Sequence, residues 1–431
     1  MNWLPVTIGD VCLPILQGDP VRIGRRVFRY IDVAGVDRNS KLIVRADQIE
    51  AENAPSRARK IVHANDVIVS TVRPNLNAVA LVPEALHGEI ASTAFAVLRA
   101  NDKLIHPEYL FYWVQSRQFV DFLTINATGA SYPAVTEGII KRSKLNLPTP
   151  SEQARIVELL KEADRLRHLR RYTDAQAASI LPTLFNRMFG DPVSNPMRWP
   201  EEPLSEVIPR LEAGWSALGE GRARQAGELG VLKISAVTSG VFRPEENKAV
   251  SEVEFSRPLL MPKRGDLLFS RANTRELIAA SCVVDDDYPD LFLSDKLWRL
   301  IPDSRKASVL YLKELFWKEG VRDKFRAVSS GSSGSMLNIS QDAMLRTLVP
   351  LPPIELQKKF EHIAWGVMEK LKAAQNAAKH LDKVWVHMLE NAFLGKLTGQ
   401  WRTARMHELV AEMEEWSRIQ DLPSLREEAC L

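Results

Sequence analysis

Hydrophobic positions mark out two long helices, one in each half of the chain. Phe360, Ala364, Val367, Leu371, Ala374, Ala378, Leu381, Trp385, Met388 and Ala392 recur in alternating steps of four and three. At 3.6 residues per turn these positions share one helical face, and a stripe this long is a coiled-coil signal. Ile156, Leu160, Ala163, Leu166 and Leu169 make a similar, less regular stripe. The first helix carries Pro182 where the second has Val386. Proline has no N–H to donate and costs ~3 kcal/mol or more inside a helix, so the pattern predicts a bend or break near Ser179 to Pro182. Two amphipathic helices without a third comparable partner are expected to bury their seams on each other, each ~60 Å long for ~40 residues. After Gln400, Met406, Leu409, Val410, Met413 and Trp416 share one face of a further helix. It either binds a partner subunit or folds back on the N-terminal domain.

Each long helix follows a region of short strands. Asp66 to Ser70, Val79 to Val82, Phe95 to Leu98, Gly230 to Ile234 and Leu297 to Ile301 are short apolar runs bounded by turn-forming residues. Helical stretches lie over Pro107 to Leu123 and Ala307 to Phe325. Prolines at 148–150 and 350–353 then close each region, because proline continues neither a ladder nor a helix interior.

The two halves repeat one another. Leu147-Pro148 through Gln153 matches Leu351-Pro352 through Gln357 at an offset of 204. Asp66 to Ser70 matches Asp266 to Ser270 at 200, and Ser92 and Tyr109-Leu110 match Ser294 and Tyr311-Leu312 at 202. Trp3 and Gly18 match Trp199 and Gly214 at 196. A period near 200 is too long for a solenoid and means two whole domains. The expected fold is therefore mixed α+β: two similar α/β domains separated by two long antiparallel coiled-coil helices, with a pseudo-two-fold internal repeat. The expected boundaries are a first domain at 1–150, its helix at 151–190, a second domain at 191–353, its helix at 354–400 and a helical tail at 401–431. Internal two-fold symmetry suits a partner that also has two halves, of which DNA is the commonest.

Composition narrows the function by exclusion. The 431 residues are 45% hydrophobic and 26% charged, with a net charge of +3, so a nucleic-acid surface has to come from local segregation of charge. Cys12, Cys282 and Cys430 are few, odd in number and far apart, which argues for a reducing cytosol and against a disulfide framework or a zinc site. No apolar run nears the ~18 residues of a membrane span, and no secretory signal is visible. The chain shows no P-loop: Gly395-Lys396 lacks the upstream glycine and the Ser/Thr. It shows no dinucleotide-binding glycine turn and no GxSxG elbow. Asn195-Pro196 runs on into Met197-Arg198 and not into the Asn-Pro-Pro-aromatic motif of an amino-methyltransferase. Pro289-Asp290 is not followed by the acidic-x-Lys triplet of a nuclease.

The domains instead show polar and basic residues just after a strand. Ser70 is followed by Thr71, Val72, Arg73, Pro74 and Asn75, and Ser270 by Arg271, Ala272, Asn273, Thr274 and Arg275. Arginine pairs bidentately with guanine and asparagine with adenine in the major groove. Alone, ordinary solvated loops explain such residues better; their placement in both halves favours function. The loops at Gly129 to Tyr132 and Gly331 to Ser335 also recur, with small hydroxyl residues suited to phosphates. The candidate DNA contacts are Arg73, Asn75, Asn77, Ser131 and Tyr132 in the first half, and Arg271, Asn273, Thr274, Arg275, Lys296, Ser332 and Ser333 in the second.

Two variable domains, each closed by a Leu-Pro-x-x-x-x-Gln segment and a long helix, resemble the specificity subunits of type I restriction-modification systems. Gly395 through Arg402 resembles the end of that family's second helix, and Leu184 through Asp191 the end of its first. Val231 to Val237 with Phe242 to Lys248 resembles one of its target-recognition domains. The resemblance covers positions 1 to about 402, with Leu356 standing where Glu152 stands in the first half. It implies a non-catalytic cytoplasmic subunit that reads one half of a bipartite double-stranded DNA target with each domain. It implies two modification subunits carrying S-adenosylmethionine and flipping the target adenine, and restriction subunits using ATP and Mg, with no cofactor on this chain and no membrane partner. The alternatives are a duplicated nuclease or methyltransferase whose motifs are not visible, and a coiled-coil scaffold that binds only proteins.

Overall fold

The computed structural model describes residues 3–129, 131–215, 217, 219–250, 258–331 and 336–419. The chain forms two compact units, one of Met1–Tyr172 with Ala377–Leu431 and the other of Thr173–Asn376. The division cuts through both long helices. Each unit thus holds one strand-rich domain, the start of the helix that follows it, and the far end of the other helix.

In the first unit, a four-stranded antiparallel sheet runs in the order Cys12–Leu13, Phe95–Ala100, Val67–Ser70, Val79–Leu81. A second sheet has the order Asp47–Glu50, Val27–Ile31, Ile90–Ser92, Ala58–Ile61, with its middle pair parallel. The strand Val67–Ser70 is apolar throughout because both of its faces are covered. Val67 and Val69 join a core with Tyr109, Trp113, Phe119, Ile156 and Leu160. Ile68 points the other way, into a core with Phe95, Val97, Ala80 and Ile31, as the two-residue period of a strand requires.

The second unit repeats the plan. Its antiparallel sheet has the order Arg210–Ala213, Leu297–Ile301, Leu267–Ser270, Ser281–Val283. Leu267 and Phe269 face one core, with Tyr311, Phe316 and Phe360, and Leu268 faces the other, with Cys282 and Leu297.

The residues matched between halves make matching hydrogen bonds. Gln153, almost wholly buried, donates to the carbonyls of Leu104 (3.1 Å) and Pro148 (3.0 Å) and accepts from the His106 amide (2.8 Å). Gln357 donates to Lys306 (3.1 Å) and Pro352 (2.8 Å) and accepts from the Ser308 amide (3.1 Å). The Tyr109 and Tyr311 hydroxyls donate to the carbonyls of Asn146 and Pro350 at 3.0 and 2.7 Å. Asp66 accepts from Arg99, and Asp266 from Arg299. Buried polar groups need partners, and these residues supply them at the same places in both copies.

The first long helix runs over Pro150–Ala178 and resumes as Ile180–Phe189. The interruption falls at Ser179, within the stretch expected from Pro182. The second, Ile354–Phe393, is unbroken. Within the first unit, Glu152 meets Thr398 and Arg402 while Arg167 meets Asp382, so residues 150–172 run antiparallel to 377–393. The apolar stripes are not buried along their whole length, contrary to expectation. Leu166, Leu169 and Leu381 are 47%, 50% and 36% exposed, whereas Ile156, Leu160, Phe360 and Ala364 are wholly buried. Burial concentrates where a helix end meets a strand-rich domain, because the domain supplies large side chains and a lone neighbouring helix does not.

The described part of the tail follows the second of its two readings. Met406–Ile419 folds back on the first unit, burying Leu409 and Trp416. Trp416 Nε1 donates to the Lys103 carbonyl at 2.9 Å, and the Glu412 carboxylate accepts from the Ser151 amide at 2.9 Å. A carboxylate at a helix N-terminus satisfies a free amide and complements the helix dipole.

Candidate nucleic-acid interface

In the first unit, the chain leaving Val67–Ser70 is held by backbone bonds on both sides. The Thr71 amide donates to the Ala94 carbonyl (2.8 Å), the Val135 amide to Thr71 (2.9 Å), and the Arg73 amide to Pro133 (2.7 Å). Arg73 then takes a left-handed conformation (φ 49°), one turn of 3-10 helix follows over Pro74–Leu76, and Asn77 is left-handed again (φ 45°). Non-glycine residues rarely adopt this conformation, and here it turns Arg73 outward. Its guanidinium lies 4.9 Å from the centroid of the Tyr132 ring, and Tyr132 is 70% exposed. Gly129 (φ 98°) makes the return possible, since a Cβ there would meet the Tyr132 carbonyl oxygen at 2.9 Å. Arg73, Asn75, Ser131 and Tyr132 are thus brought together at the surface, from two segments nearly sixty residues apart.

Asn77 does a different job from the one expected. Its side chain donates to the Val114 carbonyl (3.0 Å), and Lys41 Nζ donates to its main-chain and side-chain oxygens (2.6 and 3.3 Å). Its amide is occupied and holds the loop in place. Lys41, which no pattern along the chain singles out, reaches this loop from the tip of the hairpin Val36–Asp37/Leu42–Ile43. Burial, and then the nearby Arg167 charge, pull its ammonium down to about 8. An unfolded lysine titrates near ~10.4, so between about 8 and ~10.4 the unfolded chain holds a proton that the folded chain has released. Folding stability gains with pH across that window, and below it both states are protonated and the effect is constant. Lys41→Met should abolish this contribution. The wild-type minus variant difference in unfolding free energy should rise from pH 8 to 10, and a flat difference rejects the assignment.

In the second unit, Ser270, Arg271 and Ala272 occupy the places of Ser70, Thr71 and Val72. The Ser70 and Ser270 hydroxyls donate to the carbonyls of Val72 and Ala272, and the Ile339 amide donates to Arg271 as Val135 does to Thr71. Arg271 is therefore the counterpart of Thr71 and not of Arg73. Its Nε donates to the Asp295 carbonyl at 2.9 Å, and the guanidinium lies 3.7 Å from the Asp295 carboxylate. Its side chain braces the scaffold through Asp295, whereas the Arg73 guanidinium lies over the exposed Tyr132 ring. Asn273, at the place of Arg73, is 8% exposed and pairs with Leu337 as a strand residue, so in this conformation it reaches no base. Thr274 and Lys296 are half-buried and Arg275 is exposed. Ser332 and Ser333 lie outside the described residues.

Comparison with known proteins adds to this geometry. Residues 27–174 match the family described as the type I restriction modification DNA specificity domain. The EcoEI specificity subunit of Escherichia coli is 27% identical over 307 residues, which cover 68% of this chain and 50% of that protein. A solved chain from a study of complex assembly and conformational transition in the type I R-M system is 26% identical, with a TM-score of 0.54, covering 92% of this chain and 98% of its own. Over most of its length the chain is similar to the specificity subunits of type I restriction-modification systems. The EcoKI specificity subunit of E. coli strain K12 is 23% identical over 415 residues, or 91% of this chain and 84% of that one. The matched stretch spans about half the length of the EcoEI subunit.

The molecule has an informative asymmetry. Much of the buried polar framework recurs in both units, as at Gln153 and Gln357, while the exposed side chains at the strand exits differ. Among the described residues, no group of three or more His, Cys, Asp or Glu side chains is placed to hold a metal, and no helix is long and apolar enough to cross a membrane.

Proposed function

We propose that this chain supplies DNA sequence specificity to a type I restriction-modification complex, each unit reading one half of a bipartite double-stranded target. The observation that carries this reading is one scaffold built twice with different residues at the reading positions. Arg73 over Tyr132 stands in one unit, and Arg275, with Asn273 buried beside it, in the other. A subunit reading two different half-sites needs this combination. The chain itself performs no chemistry. Two modification subunits hold S-adenosylmethionine and act on the flipped adenine, restriction subunits use ATP and Mg, and the complex works in the cytoplasm on double-stranded DNA.

Arg73→Ala is the direct test at residue level. A bidentate arginine–guanine contact is worth ~1–3 kcal/mol of discrimination. In the complex with modification subunits, the variant should lose roughly tenfold or more of its discrimination at one half-site and retain the other. Equal loss at both half-sites would mean that Arg73 holds phosphate or structure and reads no base. At the level of the cell, deleting the gene should remove one split adenine-methylation motif from the genome. An unchanged methylation map in a strain shown to express the modification subunits would favour a protein-binding scaffold.

A further inference from the structure

Two polar joints between each unit and its long helix lie well apart along the helix. The first joint is the buried glutamine near the helix start, Gln153 or Gln357. The second lies fifteen residues further along, at His168 and Lys372, which are equivalents at the repeat offset of 204. Fifteen residues of helix span ~22 Å, so the two joints are well separated along its axis.

The second joint is built differently in the two units. In the first, the hairpin tip lies against the helix: a His168 ring nitrogen lies 3.1 Å from the Ser40 carbonyl, and Arg171 donates to the Asn39 carbonyl at 2.8 Å. The next residue of that tip, Lys41, holds the Arg73–Asn77 loop through Asn77. In the second, Lys372 Nζ lies 2.6 Å from the Asp285 carboxylate, and Arg264 donates to Glu369 at 2.9 Å while lying 5.0 Å from the Trp365 ring centroid. Asp285 leaves the strand Ser281–Val283, which pairs with Leu267–Ser270 and hence with the second strand exit. In both units, the distal joint ties the helix to the element that carries or neighbours the candidate reading loop.

One attachment leaves a rigid body free to swing about it, whereas two separated attachments fix its direction. We infer that these distal joints are positioning contacts that fix the spacing between half-sites. They hold each reading loop at one angle to its helix, so that helix length translates into a single permitted gap. The inference rests on the reading of this chain as a bipartite DNA-specificity subunit. The Lys372–Asp285 and Arg264–Glu369 pairs are partly exposed, and exposed pairs add little to stability. Spacing can therefore be loosened without unfolding the unit.

The test uses the complete complex with modification subunits and duplexes carrying the genomic target with its natural gap, one base pair shorter and one base pair longer. Lys372→Met, Asp285→Asn and Arg171→Met should each reduce the preference for the natural gap by about fivefold. Discrimination against base changes within either half-site should stay as in wild type. Lys372→Arg, which keeps the cation, should restore the preference. Thermal unfolding of each variant, followed in parallel, should stay near wild type. Equal weakening on all three gaps would show a merely structural role and overturn the inference, as would an unchanged gap preference. Wild-type complex indifferent to gap length would overturn the bipartite reading as well. A strict wild-type gap kept by all three variants would sink the joints alone.

Discussion

Glu152→Ala should be among the most destabilising single substitutions in the first unit. The Glu152 carboxylate is 1% exposed and gathers three parts of the chain. It accepts from Trp3 Nε1 (3.0 Å), Thr398 Oγ1 (2.6 Å) and Arg402 Nε (2.8 Å). Arg402 also lies 5.2 Å from the centroid of the Trp3 ring. The N-terminal segment, the start of the first helix and the turn after the second thus meet on one anion. Removing it leaves a largely buried guanidinium, an indole N–H and a hydroxyl without their acceptor. Breaking a buried pair from one side costs ~3–5 kcal/mol. At ~2–4 °C per kcal/mol for a unit of this size, the midpoint should fall by roughly 10 °C or more. Glu152→Gln keeps an acceptor but not the charge, and should lose less. Calorimetry decides the matter: a midpoint for the alanine variant within ~2 °C of wild type would mean that Arg402 is satisfied by other groups. Leu356, at the equivalent place, packs on the second unit's core. Glu152 takes two of its partners, Thr398 and Arg402, from the segment after the second helix.

The same residue shows why the sequence was partly legible. Thr149-Pro150-Ser151-Glu152 reads as a helix start, and Pro150 is the first helical residue. The Glu152 side chain, however, leaves the local cap for a partner 250 residues away. Local patterns report local bonds, and nothing in the spacing of residues names a distant acceptor. The repeat was legible because buried polar groups tolerate few replacements: Asp66/Asp266, Tyr109/Tyr311 and Gln153/Gln357 persist where a partnerless carbonyl or amide would otherwise be stranded. Recurrence of Arg and Asn after both strands favours recognition in the sequence; in the structure the Arg271 guanidinium also bonds to the scaffold and Asn273 is buried, while Arg73 and Asn75 are exposed. Recurrence marks what both units need in order to fold. A device that reads two unlike half-sites has to differ, as Arg73 with Tyr132 differs from the second exit. The tail was ambiguous for a related reason: an amphipathic face states that it needs cover without stating which surface provides it.

Phe185→Ala tests the cut through the helices, since the residue belongs by sequence to the first long helix and by packing to the second unit. Phe185 is 1% exposed; its ring stacks on Tyr311 at 5.4 Å between centroids and meets Phe189 and Phe360 at 5.0 and 5.9 Å. Truncating a buried phenylalanine costs ~3–5 kcal/mol, part transfer and part cavity. That loss should fall on the second unit, so the amides of Leu267–Ser270 should exchange hydrogen ~100-fold or more faster while those of Val67–Ser70 keep their protection. Trp385→Ala is the reciprocal experiment. Trp385, on the second long helix, packs edge-on to Tyr112 at 5.8 Å and under the Arg167 guanidinium at 4.6 Å, both in the first unit. Its loss should expose Val67–Ser70 and spare Leu267–Ser270. If each variant instead loosened the domain that precedes its helix in sequence, the helices would belong to their own domains and the exchange of helix ends between units would be wrong. The outcome bears on function, because a unit that borrows the far end of the other's helix cannot shift along it without opening its own core. On the proposed reading of a bipartite DNA target, that constraint would hold the gap between half-sites.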